Sequence, residues 1–131
     1  MPNPAHLTAH FRCEWPVDRI PARFGIVTAW NPEDRLASAC ENVAADNRLE
    51  STLKLHGWAH FRVVGGSPDF THVEPGWGIQ ADPGELLVLG RQFNQAAIYW
   101  IDGTELWLYS CSGNEQLALG SWYDRTQFEG T

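Results

Sequence analysis

Two junctions of the same kind constrain this chain most. Asn31-Pro32 and Asp82-Pro83 each follow residues that read as extended, and each precedes residues at helical spacing. An Asn or Asp side chain accepts hydrogen bonds from the free N–H groups of a first helical turn. Proline suits the first helical position, where no N–H is required. Glu33 and Asp34 add negative charge at the positive end of the first helix dipole. Strands must therefore feed helices twice, and the remaining segments are read around that frame.

Residues 24–30, Phe-Gly-Ile-Val-Thr-Ala-Trp, form a largely apolar run with β-branched and aromatic members, which predicts a buried strand. The first helix is expected over 33–56, with Leu36, Cys40 and Val43 facing the core and His56-Gly57 as its stop. At about 1.5 Å of rise per residue it would be about 36 Å long, so a bend or an early end is expected. Residues 58–64 alternate, with Trp58, His60 and Arg62 on one face and Ala59, Phe61 and Val63 on the other. Residues 65–69 read as a turn. Residues 71–80 read as extended, but Pro75, Gly76 and Gly78 mark a bulge or an edge approached by another backbone or a ligand. A second helix is expected over 83–95, then a strand at 96–101, a type I′ turn at Asp102-Gly103 and a return strand at 106–111.

This order, βαββαβ plus a hairpin partner, predicts an α+β fold of the ferredoxin-like kind. Two helices would cover one face of a mainly antiparallel sheet that carries an extra C-terminal hairpin strand. The expected divisions are an irregular N-terminal segment 1–23, broken by four prolines, a core domain 24–111 and a tail 112–131 packing on the core. The second, aromatic sheet face needs a cover, which is either the N-terminal segment or a second subunit, the subunit being favoured.

Charge narrows the partners. Lys and Arg total 9 against 16 Asp and Glu, for a net charge of −7, and no two basic residues are adjacent. Such a chain repels phosphate backbones and anionic lipid surfaces, so neither nucleic acid nor membrane is an expected partner. No apolar run approaches the roughly 20 residues that cross a bilayer, and residues 1–10 do not read as a secretory signal. Cys13, Cys40 and Cys111 are odd in number, far apart and without zinc spacing, and they read as reduced thiols of a cytoplasmic protein.

Catalytic motifs are scarce. No Gly-x-Ser-x-Gly elbow accompanies the Ser, His and Asp residues. His6 and His10 lack a third ligand and read as a solvated pair, so neither a metal nor another cofactor is expected. The informative cluster is residues 65–79 together with Gln92–Gln95. Glu74 is a carboxylate in an apolar, Gly/Pro-broken strand with Trp77 three positions on, an arrangement suited to a cation. The other reading is an edge-strand carboxylate that discourages aggregation. Gln92 and Gln95 stand where the second helix gives way to a strand, and their amides either cap the helix or bond a ligand.

The pattern Thr28-Ala-Trp-Asn-Pro32, Glu41-Asn42, Gly66-Ser-Pro-Asp69 and Gly90-Arg-Gln-Phe-Asn-Gln-Ala-Ala-Ile98 resembles an uncharacterised bacterial family of domains of unknown function. The same succession is distantly similar to phage S-adenosylmethionine lyases, once called hydrolases, which are ferredoxin-like trimers with active sites between subunits. The similarity implies a small-molecule ligand, a trimer, and carbon–sulfur bond cleavage in S-adenosylmethionine or a related adenosyl metabolite. It matches Glu74 to the catalytic carboxylate and Gln95 to the active-site amide. Trp30, Asn42, Gly66, Ser67, Trp77 and Gln92 would bind the ligand. The alternative is a non-catalytic protein-interaction or phage-defence-associated domain.

Overall fold

A computed structural model describes residues 3–130. They form three α-helices and eight strands: α1 (Pro4–Leu7), β1 (His10–Cys13), β2 (Arg23–Thr28), α2 (Ala39–His56), β3 (His60–Gly66), β4 (Val73–Ile79), α3 (Pro83–Gln92), β5 (Ala97–Asp102), β6 (Glu105–Ser110), β7 (Gln116–Ser121) and β8 (Thr126–Phe128). All eight strands join one sheet in the order β7-β6-β5-β2-β4-β3-β1-β8. The β1–β8 pairing is parallel and the other pairings described are antiparallel, so the sheet is mixed and curls into a half-barrel.

The ferredoxin-like sandwich expected from the sequence is overturned by this sheet. Strands β1, β7 and β8 extend it at both ends. They come from the segments read as an irregular N-terminus and a tail. They are four, six and three residues long; β1 and β8 owe their conformation to partners distant in sequence, Phe11 to Gly65 and Thr126, and β7 to its hairpin with β6, Trp107 opposite Ala118. Local periodicity carries little of that information.

Alternation sorts the strand residues onto two faces. Val27, Trp77, Ile79, Ile98 and Trp100 pack against Ala45, Leu49 and Leu53 of α2 and against Leu86 and Leu89 of α3. On the other face Phe11, Phe24, Phe61 and Trp122 build an aromatic cluster, and Trp122 is fully buried. The ring of Phe61 crosses Gly78, where a Cβ would lie 2.4 Å from it, so a residue larger than glycine would displace the ring. The chain's own N- and C-terminal segments cover this face, the first of them the alternative to the favoured second subunit.

Helix α2 starts at Ala39, six residues later than expected from the Asn-Pro step. Ser38 caps it, accepting from Glu41 N while the Glu41 carboxylate accepts from Ser38 N. The shift changes which residues face inward. Asn42, Ala45, Asp46, Leu49 and Leu53 are buried, whereas Leu36, Cys40 and Val43 are exposed. Gly57 ends the helix at φ 71°, as the His56-Gly57 signal predicts.

Candidate functional site

The released segment between β2 and α2 builds the site. Thr28, at the end of β2, donates its hydroxyl to Pro75 O at 2.7 Å and accepts from Trp30 N at 3.0 Å, tying β2 to β4. Asn31, Glu33 and Asp34 then adopt left-handed backbone at φ 49°, 58° and 58°. Non-glycine residues held there cost about 1–3 kcal/mol each and persist only where their surroundings over-determine them.

The surroundings at Asn31 are an amide relay with a fixed direction. Asn31 N–H donates to Asn42 Oδ1 at 2.9 Å, and Ala37 N–H donates to Asn31 Oδ1 at 3.0 Å. A backbone N–H can only donate, so both side-chain oxygens are identified by their partners. Asn42 Nδ2 therefore donates to Asn31 Oδ1 at 3.0 Å, and Asn31 Nδ2 donates to Glu74 Oε2 at 2.8 Å. Both asparagines are more than nine-tenths buried. His72 Nε2 lies 3.2 Å from the same Oε2. Glu74 Oε1 has no protein partner among the described residues.

Glu74 faces a cavity of about 420 Å³ on the aromatic side of the sheet. Ile26, Thr28, Ala97 and Tyr99 form its floor, and residues of α1 and the following turn, with His6 and Ala9, roof it. Tyr99 donates its hydroxyl to His6 O at 2.7 Å. Arg125 donates to Leu7 O at 2.7 Å and to Leu119 O at 2.9 Å, so the roof is pinned from below and from the C-terminal segment. Burial, the negative charges of Glu74 and Asp34, and against them the nearby Arg125, leave the Tyr99 phenol well above its ordinary pKa, and it stays protonated.

Of the residues singled out in the sequence, Glu74, Gln95, Gly66 and Ser67 line this one cavity. Gln95 Nε2 donates to Trp30 O at 3.2 Å and to Phe93 O at 3.3 Å, which turns its Oε1 away from those carbonyls. Ser67 closes its own loop, donating to Asp69 Oδ1 at 2.9 Å and accepting from His72 N at 3.1 Å. Asn42 stands one layer back, behind Asn31. Trp30 contributes its backbone, not a wall. Trp77 lies on the opposite face of the sheet, under the Arg62 guanidinium. Gln92 lines a separate shallow recess with Arg48 and Asn94. Phe11, Ile26 and Tyr99 supply the apolar lining instead of tryptophans.

Sequence reasoning missed Asn31, Asp34, His6, His72 and Tyr99. A signal existed for the first two, because Asn and Asp tolerate positive φ. His6 was read as solvated, yet it lines the cavity with its Nε2 3.4 Å from Asp34 Oδ1. Among the described residues no group of three or more His, Cys, Asp or Glu is placed to hold a metal ion, and no helix is long and apolar enough to cross a membrane.

No curated protein and no solved structure matches the chain. A family model described as "Protein of unknown function (DUF3293)" matches residues 27–98, from β2 into β5, a span that contains Asn31, Asn42, Glu74 and Gln95. That span is more than half of the chain, and the chain belongs to this family of proteins of unknown function.

Proposed function

We propose that this protein binds a small organic cation with an apolar body in the Glu74 cavity. One observation carries the reading. The cavity holds two carboxylates, Asp34 and Glu74, and neither a lysine nor an arginine lines it. A cation gains from that field, and an anion would meet repulsion with only amides, hydroxyls and the imidazoles of His6 and His72, which already face the two carboxylates, to answer it. The volume of about 420 Å³ lies in the range of small-molecule sites. Glu74 Oε1 is the acceptor left for the ligand, and the aromatic and aliphatic floor suits an apolar substituent.

S-adenosylmethionine belongs to this class through its sulfonium. In the lyase reaction its carboxylate oxygen would bond to its own γ-carbon while the carbon–sulfur bond breaks toward sulfur, giving homoserine lactone and methylthioadenosine. That step needs no group to take a proton, and Glu74 and Gln95 would orient the chain. Binding ranks ahead of turnover because neither a lysine nor an arginine in the lining answers the substrate carboxylate.

Thermal shift with S-adenosylmethionine and with S-adenosylhomocysteine, which lacks the sulfonium charge, tests the reading. The sulfonium is expected to stabilise more, since a ligand bound only by the native state raises apparent stability. Glu74→Gln is expected to erase the difference. Methylthioadenosine in the supernatant would extend the reading to lyase turnover. Equal shifts with the two compounds, or a difference that survives Glu74→Gln, would refute cation recognition by Glu74.

A further inference from the structure

A second recess of about 110 Å³ adjoins the main cavity and shares Asn3, His6, Asp34 and Ala97 with it. Ser110, Ser112 and Glu115 complete the recess, which therefore carries a carboxylate of its own beyond the one it shares. The only ion pair described for Asp34 is with His6 Nε2, and none is described for Glu115. Neither lysine nor arginine lines either chamber. The two chambers thus adjoin at Asn3, His6, Asp34 and Ala97, the first large and apolar-floored at Glu74, the second small and polar at Asp34 and Glu115.

We infer that the ligand is a dication without a carboxylate or phosphate, of the aliphatic or adenosyl-linked diamine class. One cationic centre sits at Glu74. The second, a primary ammonium, passes His6 and sits between Asp34 and Glu115, with Ser110 and Ser112 as further acceptors. The inference rests on the cation reading above and sharpens it. A recess of about 110 Å³ has room for an ammonium and its adjoining methylenes. An ammonium has three donors and no acceptor, which matches a lining rich in oxygen atoms. A carboxylate at either end would face a like charge with neither a lysine nor an arginine to balance it.

Calorimetric titration of the full chain with 1,5-diaminopentane, pentylamine and lysine separates the terms. The diamine and pentylamine differ by one ammonium, and lysine adds a carboxylate to the diamine skeleton. The diamine is expected to bind about tenfold tighter than pentylamine, the size of one charge-assisted hydrogen-bonded contact. Lysine is expected to bind more weakly than the diamine. Glu115→Gln, on an exposed loop, shrinks the diamine-to-monoamine ratio, as does Asp34→Asn, in which Asn tolerates the left-handed backbone. Equal affinity for diamine and monoamine, or a ratio unmoved by both substitutions, overturns the dication inference while leaving the cation reading standing. Absence of binding by all three amines overturns both.

Discussion

At position 31 two demands meet in one side chain. The backbone turns left-handed at φ 49°, and the amide must accept from Ala37 N and Asn42 Nδ2 while donating to Glu74. Alanine removes the amide and keeps the strain. Glycine removes the amide and relieves the strain. Asn31→Ala is therefore expected to cost about 3 kcal/mol of unfolding free energy, through Asn42 and Ala37 groups left unanswered in a buried layer. Asn31→Gly is expected to cost about 1 kcal/mol less than alanine, the left-handed penalty alone. Urea titration of the two variants reads both numbers, and identical midpoints would show that φ at this residue stores no strain. The sequence displayed part of this site. Glu74 stood out as a carboxylate in an apolar strand and Gln95 as an amide where the second helix gives way to a strand, and both line one cavity. Asn31 also stood out, as the helix cap its Asn-Pro step suggests. The amide spends its acceptor on Ala37 and Asn42 instead, a use fixed by tertiary contacts that spacing does not carry. Tyr99 and His6 were invisible for the same reason, since they meet only when the N-terminal segment folds over β5.

Among the elements, α2 is fastened to the sheet by one charged clamp. Arg62 on β3 donates to both Asp46 carboxylate oxygens at 2.9 and 2.8 Å, donates to Gly76 O on β4 at 3.1 Å, and rests its guanidinium carbon 3.7 Å from the Trp77 ring centroid. Removing one partner of such a half-buried pair leaves the other charge unanswered, whereas replacing both with apolar groups removes the desolvation cost as well. Arg62→Met and Asp46→Leu are each expected to destabilise by about 2–3 kcal/mol. The double variant is expected to lose less than the sum of the two. Chemical denaturation of the four proteins measures that coupling, and strict additivity would show that the clamp holds nothing. Elements with strong local signals were legible, including the strand expected at 58–64 and found at His60–Gly66, the helix from Pro83 and the Gly57 stop. The start of α2 was not, because an Asn-Pro step followed by two acidic residues imitates a helix entry. The Ser38–Glu41 capping box seven residues further on is the true one. With the start misplaced, the inward stripe was assigned to Leu36, Cys40 and Val43, whereas burial follows Asn42, Ala45, Asp46, Leu49 and Leu53.

For the molecule as a whole, the ends of the chain close the aromatic face, and this ties stability to pH. β1 lies between β3 and β8, and Cys13 on β1 pairs with Val63 on one side and Phe128 on the other. Burial pushes the Cys13 thiol up to about 11 from its ordinary 9.0. A hydrogen bond from the Trp15 backbone opposes the shift and the Glu14 charge adds to it. An unfolded chain loses this proton near pH 9, whereas the folded chain keeps it until about pH 11. Between those values the unfolded state binds fewer protons than the native state, so raising the pH favours unfolding. The stabilising contribution is whole below pH 9 and declines as pH climbs through the folded value. Its size is on the order of 2 kcal/mol. Tyr99, whose phenol is also shifted upward, contributes a loss of the same sign beginning near pH 10. Urea midpoints of the native chain are therefore expected to fall from pH 9 to pH 11. Cys13→Ala should start from lower stability, because a buried sulfur is lost from the cluster, and should fall less steeply in that window. If the two proteins lost stability in parallel, the alkaline sensitivity would belong to groups outside the β1–β8 closure, and the thiol would have no part in it.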